Sequence, residues 1–239
     1  MSASSFKERV TVLGGGTIGS VIVDIVANNV RRLHTYIPKV SWWIFHEIIN
    51  GEKLSDIINN KHENVKYLPG KQLSNLIDAV TDIEEACENC TTLILCIPPK
   101  YIPRILPTIS QYLSPTCKVV NVCKDLLYLP NDARLQPYSE ILKTHLQSEI
   151  LVLHGCFEVK NILNNDRVVA TLGCENLSTG HKIKQLFETD SFSIEVAKGV
   201  SLVELTSVLS TICGLCGGFA DALDVDENVK VNRMYPCKY

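Results

Sequence analysis

The sequence predicts a doubly wound α/β fold built on a parallel sheet. Three observations predict it. Near the start, an apolar run at 10–13 is followed at once by glycines and then by an amphipathic stretch. Further on, nearly continuous apolar runs at 91–97 and 118–123 read as strands buried on both faces. Helical patterns fill the gaps, and strand alternating with helix implies a sheet covered on both sides.

Each element has its own justification. Residues 17–30 read as a helix, with Ile18, Val21, Ile22, Ile25 and Val26 on one face. Residues 40–45 are β-branched and aromatic and read as a strand, in which Trp42 and Trp43 are core. The 91–97 strand is stopped by Pro98 and Pro99, and helices follow at 101–112 and 180–187. Further strands are expected at 150–153, 168–172 and 193–196. The run from Asn59 to Glu63 reads as a solvated turn. A long helix closes the pattern at 199–223. Leu202, Leu205, Leu209, Ile212, Cys216, Phe219 and Leu223 share one face of it, and Val200, Val203, Val208 and Leu215 add apolar surface elsewhere. Such a helix calls for burial, yet only sixteen residues follow Leu223, and they are mostly polar. The boundaries expected are a domain over 1–198 and a helical remnant over 199–239.

Composition narrows the function. A chain of 239 residues, 46% hydrophobic, can bury one large domain with a small appendage. Charged residues make up 21% and the net charge is −3, so neither nucleic acid nor an anionic membrane is an expected partner. The polar N-terminus has no apolar signal core, and no run long enough to span a bilayer is evident, so a cytoplasmic location is expected. The 10 cysteines sit mostly in apolar runs and read as reduced, buried small hydrophobes. Cys87-x-x-Cys90 and Cys213-x-x-Cys216 have the spacing of zinc half-sites, but both fall on helices rather than tight turns, so no metal is expected. The six histidines show no ligand spacing. His154 either faces a site at a strand end or is a polar loop residue, the second being the plainer reading.

The glycine loop carries the chemistry. Gly14, Gly15, Gly16, Thr17, Ile18 and Gly19 fit G-x-G-x-x-G, the fingerprint of a Rossmann-type dinucleotide site. Gly14 permits the tight turn, Gly16 lets a pyrophosphate approach the backbone, and Gly19 packs the helix on the strand. The helix N-terminus supplies free N–H groups and partial positive charge. At the end of the second strand, Glu47 either accepts from an adenosine ribose, favouring NAD over NADP, or is a solvated carboxylate. Phe45 either flanks an adenine or closes the strand.

Several segments resemble the eukaryotic-type, cytosolic NAD-dependent glycerol-3-phosphate dehydrogenases. These are the glycine loop, Lys53-Leu-Ser-Asp-Ile-Ile-Asn59, His62-Glu-Asn-Val-Lys-Tyr-Leu-Pro-Gly70, Thr171-Leu-Gly-Cys174, Val203-Glu204 and Gly217-Gly-Phe-Ala-Asp-Ala-Leu223. The resemblance implies an N-terminal nucleotide domain, a C-terminal helical domain, and interconversion of dihydroxyacetone phosphate and glycerol 3-phosphate with NAD and NADH. It implies cofactor contacts from Gly14, Gly15, Gly16, Thr17, Ile18, Gly19, Phe45, Tyr101, Lys124 and Val159. It also implies that Lys124 contacts substrate.

The same resemblance implies losses. In the family a lysine in the long helix is the general acid/base, and Ser210 stands at that position here. A family asparagine is replaced within Gly155-Cys156-Phe157. The chain diverges after Lys230, so most of the helical domain is expected to be missing. A serine hydroxyl does not deliver a proton near neutral pH as an amine does, and losing a general acid/base costs about 10²–10⁴ in rate. Three readings stay open: an active enzyme of unusual sequence, a non-catalytic NAD-binding paralogue acting as sensor or partner of a full-length enzyme, and a truncated product that folds poorly. Self-association through the 199–223 helix is expected.

Overall fold

The computed structural model describes residues 7–124, 126–129, 134–155 and 158–226. In chain order the elements are β1 (Glu8–Leu13), α1 (Thr17–Val30), β2 (Tyr36–Trp43), β3 (Ile48–Ile49), β4 (Glu52–Lys53), α2 (Leu54–Lys61), β5 (Ile77–Val80), α3 (Ile83–Cys87) and β6 (Thr92–Leu95). Then come α4 (Ile102–Tyr112), β7 (Lys118–Asn121), β8 (Leu126–Leu129), β9 (Arg134–Pro137), α5 (Tyr138–His145) and β10 (Glu149–His154). The last are α6 (Val159–Leu163), β11 (Val168–Cys174), α7 (Leu177–Phe187), β12 (Phe192–Lys198) and α8 (Val200–Ala222).

Among the described residues, one sheet runs β12-β11-β10-β7-β6-β1-β2-β5. From β5 to β10 all pairings are parallel, giving the doubly wound order 3-2-1-4-5-6. The expected all-parallel sheet is modified at one edge, because β10 and β11 pair antiparallel while β11 and β12 pair parallel. The strand order reverses between β1 and β6, and the crevice at such a switch is where this architecture binds ligands. Helix α1 starts there.

The buried apolar runs do form strands. Val12, Leu13, Leu93, Ile94, Leu95, Val119 and Val120 are fully enclosed. Trp42 and Trp43 are core, as expected. The Trp42 indole N–H donates to the Gly14 carbonyl at 2.9 Å, which ties the second strand to the loop after the first. The expected turn at 59–63 is corrected. Asn59 and Lys61 lie in α2, and Asn59 exchanges two hydrogen bonds with the backbone of Ala79 in β5. His62 ends the helix in the left-handed conformation.

Helix α8 packs its first turns on β10 and β11, burying Val200, Val203, Glu204 and Ser207. A methyl group at Gly173 would lie 2.9 Å from the Val203 side chain, so two of the segments carrying the family resemblance meet here. The Glu204 carboxylate accepts from the Ser139 backbone N–H at 3.2 Å, and its burial pushes its pKa up. No residue of α8 after Ser207 is buried, and Leu202, Leu209, Ile212, Leu215, Phe219 and Leu223 are exposed. By length and composition α8, with mean hydropathy 1.6, is apolar enough to cross a membrane, which corrects the expectation that no run is.

Candidate nucleotide and substrate site

Residues 14–19 turn sharply from β1 into α1. Gly14 has φ +120°, and a Cβ there would lie 2.4 Å from the Cys96 carbonyl oxygen on β6's flank. A Cβ on Gly19 would lie 1.9 Å from the Gly14 carbonyl oxygen. Both glycines are therefore fixed by packing. Gly16 differs, because nothing lies within 4 Å of its added Cβ. Its open face is the approach a phosphate would use. Gly16 is also the N-cap of α1 with no side-chain capping bond, so the first-turn N–H groups remain available to a ligand.

One bracing residue was not singled out in the sequence. Asn64, fully buried, donates to the Gly15 carbonyl at 3.0 Å and to Ser20 Oγ at 2.9 Å, and its own carbonyl accepts from the Tyr67 N–H. The motif at 62–70 thus holds the glycine loop in shape from across the structure. The signal was present in that motif, but its target is 49 residues away.

Two cavities flank the loop. The first, about 790 Å³, is lined by Gly14–Gly16, Phe45, Glu47, Tyr67, Tyr101 and Arg104. Phe45 and Tyr101 meet edge to face with centroids 6.3 Å apart, and Phe45 is exposed and available for stacking. Glu47 pairs with Lys66 and accepts from the Tyr67 hydroxyl at 3.2 Å, so it is an engaged wall residue and not a freely solvated carboxylate. The second cavity, about 460 Å³, is lined by Gly16, Thr17, Ile18, Gly19, Cys96, Cys123, Lys124, His154 and Gly155. Burial pushes the Cys123 thiol up to about 12 and that of Cys96 well above its ordinary value, so both line the cavity as neutral groups. Gly16, Cys96, Ile97 and Pro98 border both cavities, which together run across the N-terminus of α1.

The expected contact residues divide. The six loop residues, Phe45, Tyr101 and Lys124 all border these cavities. Val159 starts α6, packs against the core, and lines neither. Cys156 and Phe157 lie outside the described residues, as does the chain after Asp226. Lys124 and Ser210 come together: the ammonium donates to Ser210 Oγ at 3.2 Å, and the Ser210 hydroxyl donates to the Ser207 carbonyl at 2.6 Å. The plainer reading of His154 is corrected. It is the last residue of β10 and is buried, and its Nε2 has no hydrogen-bond partner. Desolvation first, and then the Lys124 charge, bring its pKa down to about 4, so the ring is neutral. The candidate zinc pairs are on separate elements, with Cys87 and Cys90 buried and Cys216 exposed. Among the described residues no three His, Cys, Asp or Glu side chains are grouped to hold a metal.

Comparison with known proteins agrees with this geometry. Residues 9–180 match the family model described as NAD-dependent glycerol-3-phosphate dehydrogenase N-terminus. The chain belongs to that family. It is 34% identical over 238 residues to a probable glycerol-3-phosphate dehydrogenase of Caenorhabditis elegans, covering 95% of this chain and 61% of that protein. It is 33% identical to the human cytoplasmic NAD(+) glycerol-3-phosphate dehydrogenase, covering 94% of this chain and 64% of the other. Among solved structures, a Plasmodium falciparum glycerol-3-phosphate dehydrogenase superimposes with TM-score 0.86 at 26% identity, covering 95% of this chain and 63% of that one. A Saccharomyces cerevisiae enzyme of the same name gives 0.87 at 25%, covering 95% and 67%. The chain therefore spans 61% and 64% of the lengths of the two curated relatives. NAD is the cofactor in the family's name, and the glycine loop lies within the matched residues.

Proposed function

We propose that this chain binds NAD and NADH across the two cavities and turns over dihydroxyacetone phosphate and glycerol 3-phosphate far more slowly than a dehydrogenase with an intact general acid/base. The observation that carries the first half is the open face of Gly16 between the two cavities. Gly14 to Gly19 with α1 would hold the pyrophosphate, Phe45 and Tyr101 the adenine, and Thr17, Ile18 and Lys124 the nicotinamide half. A bound nicotinamide supplies or takes a hydride.

The second half rests on Ser210. A ketone reduced by hydride needs a proton on its oxygen, and Ser210 has no charge to give. Its hydroxyl instead anchors the Lys124 ammonium. Lys124 is left to orient a substrate and neutralise its charge. Residues 1–198 are read as the nucleotide domain and 199–239 as the start of a substrate domain. A cytoplasmic location fits relatives named as cytoplasmic. The apolar face of α8 supports a second role as a partner-binding or self-associating nucleotide protein.

Thermal unfolding with millimolar NADH tests binding, since a ligand specific for the native state raises its apparent stability. An unchanged midpoint would overturn it. NADH oxidation with dihydroxyacetone phosphate at high protein concentration tests the impairment. Enzymes commonly turn over at about 10 s⁻¹. A rate within tenfold of that would refute it.

A further inference from the structure

A third cavity of about 190 Å³ lies between the C-terminal end of β10, the middle of β11 and helix α8. His154, Thr171, Thr206, Ser207 and Ser210 are on its wall. Two of these carry an unmet hydrogen-bonding atom. His154 Nε2 and Ser207 Oγ are both buried, and neither has a partner. Orphans of this kind are rare in folded proteins, and each costs free energy unless a water or a ligand meets it. Two on one small cavity mark a place built to be filled. Its described lining holds no Asp, Glu, Lys or Arg.

The cavity is also in the right place. His154 and Gly155 border both it and the cavity beside Thr17 to Gly19. Lys124 stands in that neighbouring cavity and is bonded to Ser210 on the wall of this one. A small molecule seated here would therefore lie against the nicotinamide end of a nucleotide bound as proposed above, with one cation at its rim.

We propose that this cavity is a subsite for an uncharged hydroxyl or carbonyl group of a small hydroxy- or oxo-substrate, and that His154 Nε2 and Ser207 Oγ bind that oxygen. A neutral imidazole suits both oxidation levels. As the Nε2–H tautomer it donates to a carbonyl, and with a bare Nε2 it accepts from a hydroxyl. Ser207 does either by rotating its hydroxyl. The inference rests on the nucleotide reading, because only then does the subsite face a hydride carrier.

The test is calorimetric titration of the NADH-loaded chain with dihydroxyacetone phosphate, beside a titration with NADH alone. His154→Leu and Ser207→Ala are each expected to weaken dihydroxyacetone phosphate about tenfold, the size of one lost hydrogen bond. His154→Gln, which places an amide near Nε2, should stay within threefold of the parent. Ser207 lines neither nucleotide cavity, so Ser207→Ala should leave NADH affinity unchanged, and every variant is titrated at saturating NADH. Equal dihydroxyacetone phosphate affinity in the Leu variant and the parent would show that the orphans serve only a structural water and would overturn the proposal. So would absent binding by a parent that still takes NADH. Failure to bind NADH would instead sink the nucleotide reading. Should the Leu variant not fold, the ¹⁵N shift of His154 Nε2 in the parent decides. It moves on adding dihydroxyacetone phosphate if the proposal holds, and stays fixed if it does not.

Discussion

A methyl group added at Gly19 would lie 1.9 Å from the Gly14 carbonyl, whereas one added at Gly16 would meet nothing within 4 Å. This separates folding from binding within one loop. Gly19→Ala must push α1 off β1 and should cost several kcal/mol, about 3 or more. Gly16→Ala should leave the unfolding midpoint within a degree or two of the parent and yet abolish its rise with NADH. A Gly16→Ala protein that keeps the full NADH shift would show that the phosphate does not approach there. Ser210 allows the complementary experiment. Placing a lysine there puts a second ammonium beside Lys124, and like charges at that spacing lower one of the two pKa values. Ser210→Lys is therefore expected to raise dihydroxyacetone phosphate-dependent NADH oxidation by about 10²-fold. An unchanged rate would locate the defect elsewhere than at the missing acid/base.

At the scale of elements, what the sequence made legible follows from range. The 17–30 helix is realised without change as Thr17–Val30, because the glycines before it and its apolar face are local. The strands around it are legible because burial on both faces leaves a continuous apolar run. The hairpin Ile48–Lys53 and strand β5 were not legible, since both are short and half exposed. Nor was the edge pairing of β10 with β11, because strand direction leaves no periodic trace. In the site, Gly14 to Gly19 could be read from spacing, while Asn64 and His154 could not. Asn64 acts on residues far along the chain, and His154 has no partner whose spacing would announce it. Its position at the end of β10 has a consequence for stability. Buried in the fold, its pKa is near 4, while in the unfolded chain it titrates near the ordinary value of about 6.5. Between those values the unfolded chain holds more protons, so the fold loses stability as pH falls from 6.5 to 4. The full contribution, on the order of 3 kcal/mol, is present above 6.5. Buried Glu204 and half-buried Asp24, with raised pKa values, work in the opposite sense at the acid end, so the parent's own curve mixes these effects. The difference between parent and His154→Leu isolates the histidine. Denaturant titrations from pH 7 to 4 should show that difference narrowing by 1.4 kcal/mol or so for each unit below 6.5. A difference independent of pH would place the ring in water.

At the scale of the whole molecule the second half of α8 is the unresolved force. Residues 208–222 extend about 22 Å with no buried side chain, and they include Gly214, Gly217 and Gly218. An isolated helix of that length is marginal in water even without glycine, so this segment does not hold itself. Its apolar positions 202, 205, 209, 212, 216, 219 and 223 alternate spacings of three and four, the pattern of a helix–helix seam. Val203, packed against Gly173 of β11, and buried Glu204, bonded to Ser139 of α5, fix the first turns, so what remains free is a seam on a rigid base. Pairing two such seams removes leucine and phenylalanine surface from water at about 25 cal/mol per Å² and orders both helices at once. The chain is accordingly expected to elute as a dimer or larger species in sizing chromatography with light scattering, dissociating on dilution. Leu209→Glu with Ile212→Glu places charges in the middle of the seam and should return a monomer with an unchanged NADH shift. Amide exchange should then quicken from Val208 onward while β1, β6 and β7 stay protected. A parent that is monomeric at high concentration, with slow exchange throughout α8, would mean that the seam is covered by the chain's own residues.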